Sequence, residues 1–270
     1  MKVKTATGEI NIDVSGTQGK PVVVMTHSLG CNLHMWDPQM DLLQNDFHVV
    51  RLDMRGHGLS DVTPGPYTLE TLGDDAIAVM DELSLDRVHW VGLSIGGMIG
   101  QGVLLRYPER FLSATLCDTS SVVPSTGLDL WHERIAKVEG EGLASIADAT
   151  MERWFTSAFL ASTDIVDQKT VEHVRAQFTG TADAGYVACC HAIMKLNYTD
   201  RLANIKTPTC VIVGEQDQAT PVEASQTIHN NIKGSELHIL ENASHIANVE
   251  QTDAFNAALM PFLRKHANPA

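Results

Sequence analysis

The segment "WVGLSIGGMIGQG" (90–102) sets one serine, Ser94, among five glycines. Glycine inside a helix costs roughly 0.5–1 kcal/mol relative to alanine, so this density implies backbone that needs room. Gly92-Leu93-Ser94-Ile95-Gly96 is a G-x-S-x-G pentapeptide between the strand-like run "RVHWVGL" and the helical run "IGGMIGQGVLLRY", which Pro108 stops. A tight strand-to-helix turn presents a serine Oγ as a nucleophile, with small residues two before and two after it so that their Cβ atoms do not collide. The helix N-terminus then aims N–H groups at the reacting atom. Gly97, Gly100 and Gly102 are read as packing positions that bring the helix close to the sheet. The alternative is a glycine-rich turn with an idle serine.

A serine hydroxyl needs a base, and the base needs a third group to hold it. With the serine at a strand-to-helix turn, the acid and the histidine come later in the chain, in that order. "TPTCVIVGE" reads as a strand, and Asp217 lies in the loop just past it, with Pro221 suited to the start of the next helix. "ELHILE" is the last strand-like run, and His245 follows it in "NASH". Of twelve histidines, His245 alone has that topological position. Asp118, in "LCDTS" after the strand that follows the serine's helix, is the competing acid, and Glu215 is a weaker rival. Asp217 is preferred. Two backbone N–H groups should bind the oxyanion: that of Ile95, after the nucleophile, and that of Leu29 in the turn "HSLG".

These residues need a sheet to hold them. "KVKTA" and "EINIDV" flank Thr7–Gly8 as a hairpin. "PVVVMTH", "FHVVRLD", "RVHWVGL" and "LSATLCD" read as further strands. Helical spacing between them covers Met35 to Leu43, the run from Thr68, and the glycine-rich segment. From about Ser121 to Asn197 strand signals vanish. Helical segments take over there: "LDLWHERIAKV", "LASIADATMERWF", "TVEHVRAQF" and "AGYVACCHAIMKL". Strand and helix then alternate again. This predicts an α/β fold with a parallel sheet: a core from 1–120 and 198–270, a helical cap at 121–197, and a crevice between them at the strand C-termini.

Composition narrows the function. A net charge of −14 argues against nucleic acid and anionic membranes as partners. No window approaches a membrane span, and the N-terminus has no apolar signal region, so a cytoplasmic location is expected. Five scattered cysteines without a C-x-x-C pair read as buried, idle thiols. No phosphate loop, no G-x-G-x-x-G after a strand and no H-E-x-x-H appears, so no cofactor and no metal are expected. A homo-oligomer is left open.

Taken together, the chain resembles the α/β-hydrolase superfamily. The turn "DMRGHGLS" (53–60) matches the family's D-x-R-G-x-G-x-S, read as structural. Within the superfamily it is most similar to the 3-oxoadipate enol-lactonases, through "HSLGCNLHMWDPQ", "LDMRGHGLSDVTPGPYTLETLGDD", "ERWFT" and "ASHIANVEQTDAFN". Asp118 departs from that resemblance, which would place a neutral residue such as asparagine there. The resemblance implies a mostly parallel eight-stranded sheet flanked by helices, with the cap inserted. It also implies a cofactor-free serine hydrolase that passes through an acyl-enzyme on a small ester or lactone. A general carboxylesterase, an acyl-homoserine lactonase and a perhydrolase share this chemistry. A ligand receptor on the same fold is the alternative outside enzymes. Candidates for the substrate pocket are Ser28, His34, Trp36, Trp131, Trp154 and His191, each weighed against plain packing. Arg134 and Lys137, one helical turn apart, are candidates for anchoring an anionic substrate, against the reading that they form a solvated face.

Overall fold

A computed structural model describes residues 1–267. Its strands are β1 (Lys2–Lys4), β2 (Glu9–Gly16), β3 (Val22–Thr26), β4 (His48–Leu52), β5 (Val88–Leu93), β6 (Phe111–Cys117), β7 (Thr209–Gly214) and β8 (Glu236–Leu240). They pair in the order β1-β2-β4-β3-β5-β6-β7-β8. The first two strands run antiparallel to their neighbours, with Ile12 opposite Leu52, and every pairing from β4 to β8 is parallel. The sequence shows this division. β5 and β7 are buried at every residue, as expected for parallel strands covered on both faces, and read as continuous apolar runs. β2 sits near the edge, and its Ile10 and Ile12 alternate with polar residues.

The helices of the core are α1 (Asp37–Asp46), α2 (Leu69–Glu82) and α3 (Ile95–Arg106). Between β6 and β7 lie α4 (Leu128–Glu141), α5 (Ala147–Trp154), α6 (Ser157–Leu160), α7 (Ile165–Thr179) and α8 (Asp183–Ile193). A single antiparallel bridge, Val122 to Asn197, joins the two ends of this helical stretch. The last helices are α9 (Val222–Asn231), α10 (Ala247–Glu250) and α11 (Thr252–Lys265). Residues 268–270 of the expected core lie outside the described residues.

Local sequence moves several boundaries. The helix expected over Met35 to Leu43 is two pieces: a 3-10 turn at Leu33–Trp36, capped by the Asn32 side chain, and then α1, with Pro38 in its first turn. "LASIADATMERWF" likewise divides into a 3-10 turn at Leu143–Ile146 and α5. α2 starts with a capping box in which Thr68 pairs with Thr71. Pro221 is the residue before α9 and not part of its first turn. α3 is buried from Ile95 to Leu104, so its glycines face neighbours all round. A Cβ on Gly100 would come within 2.5 Å of Trp90 of β5, whereas one on Gly97 would meet Thr119 and one on Gly102 would meet Tyr198. Of the three packing glycines, then, only Gly100 faces a strand.

Candidate active site

Ser94 lies between β5 and α3 with φ +57° and ψ −118°, in the left-handed half of backbone space that a non-glycine residue occupies only when its surroundings force it. Three hydrogen bonds hold its backbone there: Ser94 N–H donates to Cys117 O at 2.9 Å, and Ser94 O accepts from Thr119 Oγ1 at 2.7 Å and from Met98 N–H at 3.0 Å. The flanking glycines are dictated by the same turn. A Cβ on Gly92 would lie 2.2 Å from Gly96 O, and one on Gly96 would lie 2.4 Å from Thr26 O.

His245, on the loop between β8 and α10, places Nε2 3.0 Å from Ser94 Oγ. Its Nδ1 is 2.9 Å from Asp217 Oδ2. All three residues are buried, with Ser94 7% exposed, Asp217 4% and His245 2%. Asp217 also accepts from the N–H groups of Ala219 and Thr220 and from Thr220 Oγ1, at 2.7 to 2.9 Å. Burial works against its charge, but the adjacent His245 and these donors outweigh it and hold the carboxyl below the usual carboxylate range. An ionised carboxylate on Nδ1 fixes the imidazole with Nε2 facing the serine, the arrangement needed to take its proton.

The rival acids lie elsewhere. Glu215 is exposed. Asp118 is fully buried, but its Oδ1 accepts from Gly214 N–H at 2.8 Å, and its carboxyl makes no hydrogen bond to His245. Burial, followed by the nearby Asp217, pushes the Asp118 carboxyl far above its ordinary range. Among the described residues no hydrogen bond engages the N–H of Leu29 or of Ile95. Ile95 is the first residue of α3, where helix N–H groups point outward. The Leu29 turn is shaped from outside by His57, whose Nε2 accepts from Gly30 N–H at 3.0 Å. His27 does the same for Met54 N–H at 2.9 Å. In "DMRGHGLS", Asp53 accepts from the N–H groups of Leu33 and Leu59, while Arg55 forms a buried ion pair with Asp75.

The remaining candidates separate. Trp154 packs its ring 6.1 Å from that of His245 and 5.5 Å from Phe178. Trp131 lines a cavity of about 890 Å³ together with Met98, Arg134, Lys137, Arg153 and Thr220. Ser28 is fully buried beside Leu29, its Oγ without a partner among the described residues. Trp36, at the end of the 3-10 turn, is fully buried against Phe255 of α11 and belongs to the core. His34 bonds Asp37 on the surface and borders a different hollow, near Val166 and His173. His191 faces yet another, beside Gly65 and Asp183. The structure therefore does not bring Trp36, His34 or His191 to Ser94.

Three positions escaped sequence reasoning. Glu250 accepts from Thr156 N–H and Oγ1 and, through its other oxygen, from Ser244 N–H, at 2.6 to 2.8 Å. It thereby ties the segment after α5 to the His245 loop. His57 sits in a motif read only as structural, and Arg153 in a segment noted only for resemblance. A glutamate 94 residues from its partner leaves no signal in sequence spacing.

The alternating sheet, the serine turn and the loop order define a class, and the comparisons agree. A family model described as alpha/beta hydrolase fold matches residues 21–149. The chain belongs to the α/β-hydrolase family. Over 95% of its length it is 36% identical to 3-oxoadipate enol-lactonase 2 of Acinetobacter baylyi, covering 93% of that protein. It is 31% identical to 3-oxoadipate enol-lactonase 1 of the same organism, over 94% of this chain and 93% of that one. The crystal structure of the enol-lactonase from Burkholderia xenovorans LB400 superposes with a TM-score of 0.91 at 33% identity, covering 96% of this chain and 99% of that one. No helix among the described residues is long and apolar enough to cross a membrane.

Proposed function

We propose that this α/β hydrolase cleaves small carboxylic esters or lactones, of the enol-lactone kind, through Ser94, His245 and Asp217. The observation that carries the reading is the unbroken hydrogen-bond chain Ser94 Oγ–His245 Nε2 and His245 Nδ1–Asp217 Oδ2, at 3.0 and 2.9 Å. Ser94 Oγ adds to the substrate carbonyl as its proton passes to His245. The N–H groups of Leu29 and Ile95 receive the negative charge on the carbonyl oxygen, each contributing about 10²–10³ in rate. His245 returns the proton to the departing oxygen as the C–O bond breaks, leaving an acyl-enzyme. Water, deprotonated by His245, then attacks the acyl carbon and frees Ser94. In a lactone the departing oxygen remains part of the acyl chain, and the second step frees the whole ring-opened acid from Ser94. In an enol-lactone it leaves as an enol that becomes a ketone. Residues 121–197 act as the cap over this site, and the names of the enol-lactonase relatives favour a small lactone substrate.

The test is hydrolysis of 4-nitrophenyl esters from acetate to octanoate by the wild type and Ser94→Ala, followed by the enol-lactone itself. Turnover by the wild type, lost in Ser94→Ala, is expected. A folded wild-type protein that cleaves no ester or lactone and resists a fluorophosphonate probe would overturn the reading in favour of a slow or inert receptor.

A further inference from the structure

The peptide that carries the proposed oxyanion donor is held from behind. Leu29 N–H and Ser28 C=O belong to one planar trans unit and point in opposite directions, so whatever fixes Ser28 O also aims Leu29 N–H. Ser28 O is engaged twice: by Cys31 N–H at 3.0 Å and by His27 Nδ1 at 2.8 Å. The first bond closes a tight turn over Ser28 to Cys31, in which Gly30 has the positive φ, +78°, that a type II turn requires of its third residue. The second comes from a side chain. On the other side of the turn Gly30 N–H donates to His57 Nε2 at 3.0 Å, and Gly30 O accepts from Thr181 Oγ1 at 3.2 Å. Among the described residues Leu29 N–H alone in this turn is left without a partner while its neighbours on both sides are bonded. The strand end that leads into the turn lies against the nucleophile's helix, since a Cβ on Gly96 would be 2.4 Å from Thr26 O, one residue before His27.

His27 can hold Ser28 O in one protonation state only. Met54 N–H donates to its Nε2 at 2.9 Å, so that nitrogen keeps its lone pair and the ring proton sits on Nδ1, the nitrogen that meets Ser28 O. Burial, opposed by Asp53 and by Ser28 O itself, holds the pKa of the ring below its ordinary value. The ring is fully buried and stands 5.3 Å from that of His57, which burial keeps neutral as well. The donors then run in one direction: Met54 N–H to His27, His27 to Ser28 O, and Leu29 N–H outward. Each bond polarises the next, so the last donor is strengthened as well as aimed.

We propose that His27 is a positioning residue for catalysis: through Ser28 O it orients the Ser28–Leu29 peptide, so that Leu29 N–H meets the oxyanion once Ser94 has added to the carbonyl. The inference rests on the hydrolase reading above and goes beyond it, because His27 makes no hydrogen bond to Ser94, Asp217 or His245. The oxyanion exists only after the bond to Ser94 has formed. A misaimed Leu29 N–H therefore lowers kcat and leaves KM nearly unchanged.

Two substitutions each remove one of the ring's two hydrogen bonds. Asparagine Nδ2 is bonded to Cγ, as Nδ1 is, so His27→Asn keeps the donor to Ser28 O and loses the acceptor for Met54 N–H. Glutamine Oε1 stands two bonds from Cγ, as Nε2 does, so His27→Gln keeps the acceptor and loses the donor. Each variant gives up one buried hydrogen bond, and Tm should fall by similar amounts in both. With 4-nitrophenyl butyrate, kcat should fall about tenfold to a hundredfold in His27→Gln and no more than about threefold in His27→Asn, with KM within about twofold in both. Affinity for a trifluoromethyl ketone, which Ser94 captures as a tetrahedral adduct, should drop in His27→Gln by the same factor as kcat. Nitrogen-15 NMR of the wild type needs neither turnover nor a folded variant, and should show His27 neutral with its proton on Nδ1. Equal kcat losses in the two variants, a loss confined to KM, or a His27 ring protonated on Nε2 would each overturn the proposal. A wild type that cleaves no ester or lactone would sink the hydrolase reading itself, and the role of His27 in catalysis would fall with it.

Discussion

Gly92→Ala tests whether the glycines around Ser94 are there because the turn leaves no room. The new Cβ would sit 2.2 Å from Gly96 O, 2.4 Å from Gly96 C and 2.7 Å from Trp90 Nε1. Ordinary contact begins near 3.4 Å, so the backbone of β5 or the first turn of α3 must move by about 1 Å. The Gly96 atoms are main chain and cannot rotate away. Overpacking of this kind costs about 1–3 kcal/mol. For a chain of this size that lowers Tm by roughly 2–4 °C per kcal/mol. The chemistry should suffer more. Ser94 lies between the two clashing residues, and a misplacement of about 1 Å can cost on the order of a hundredfold in rate. Thermal unfolding and 4-nitrophenyl butyrate turnover read the two effects. Gly140→Ala is the control: nothing lies within 4 Å of the new methyl group in α4, so it should leave turnover alone and gain up to about 1 kcal/mol. Gly92→Ala with wild-type Tm and turnover would refute the steric argument, as would equal losses in the two variants.

Three further outcomes follow from buried groups. Glu250→Ala leaves Thr156 N–H and Ser244 N–H without their acceptor, at about 1–3 kcal/mol each, and should lower Tm and slow turnover together; normal turnover would show that Glu250 does not hold the His245 loop. His57 is kept neutral by burial, its pKa pushed down to about 3, so the folded state binds fewer protons than the unfolded one below pH 6.5. Stability should therefore fall on acidification from about pH 6.5 downward, more gently in His57→Asn, as Tm across pH would reveal. Asp118 has the opposite sign: its folded pKa is raised, so the folded state holds a proton that the unfolded state releases above pH 3.8, and stability falls as pH climbs through that window. Asp118→Asn keeps an acceptor for Gly214 N–H and has no proton to lose, so its Tm advantage over the wild type should grow between pH 4 and 8, and a flat difference would rule this account out.

What the sequence discloses about this site depends on how local the physical demand is. Gly92, Ser94 and Gly96 are legible because one turn imposes all three requirements within five residues. Asp217 and His245 are legible at one remove: neither has a local signature, but each follows a strand-like run, the fully buried β7 for Asp217 and the half-exposed edge strand β8 for His245. The parallel core of the sheet is legible in the same way, from β5 and β7, apolar but for His89 and Thr209, against alternating β2. Contacts across the chain are not. Glu250 meets Thr156 and His57 meets Gly30 because strands and loops converge, and spacing carries no trace of that. Trp36 and His191 show the converse. An aromatic or a histidine near a recognised turn looks available to a substrate until packing directs one into the core and the other to an outer hollow.

Three carboxyls crowd the base of His245, and the structure assigns them unequal charge. Asp217 has the imidazole itself as partner, and with four donors on its two oxygens it is held ionised. Glu250 accepts three hydrogen bonds but touches no cation, and burial raises its pKa. Asp118 has one such bond, to Gly214 N–H, and lies close enough to Asp217 that a second negative charge would be repelled. Burial disfavours charge on all three, and only Asp217 has the imidazole as a partner to oppose it. The raised pKa of Asp118 moves the field at His245 towards the one that a neutral residue at 118 would give. A permanently ionised Asp118 would instead stabilise the protonated imidazole and blunt it as a base at neutral pH. Burial and the neighbouring Asp217 both favour the protonated form of the acid at 118.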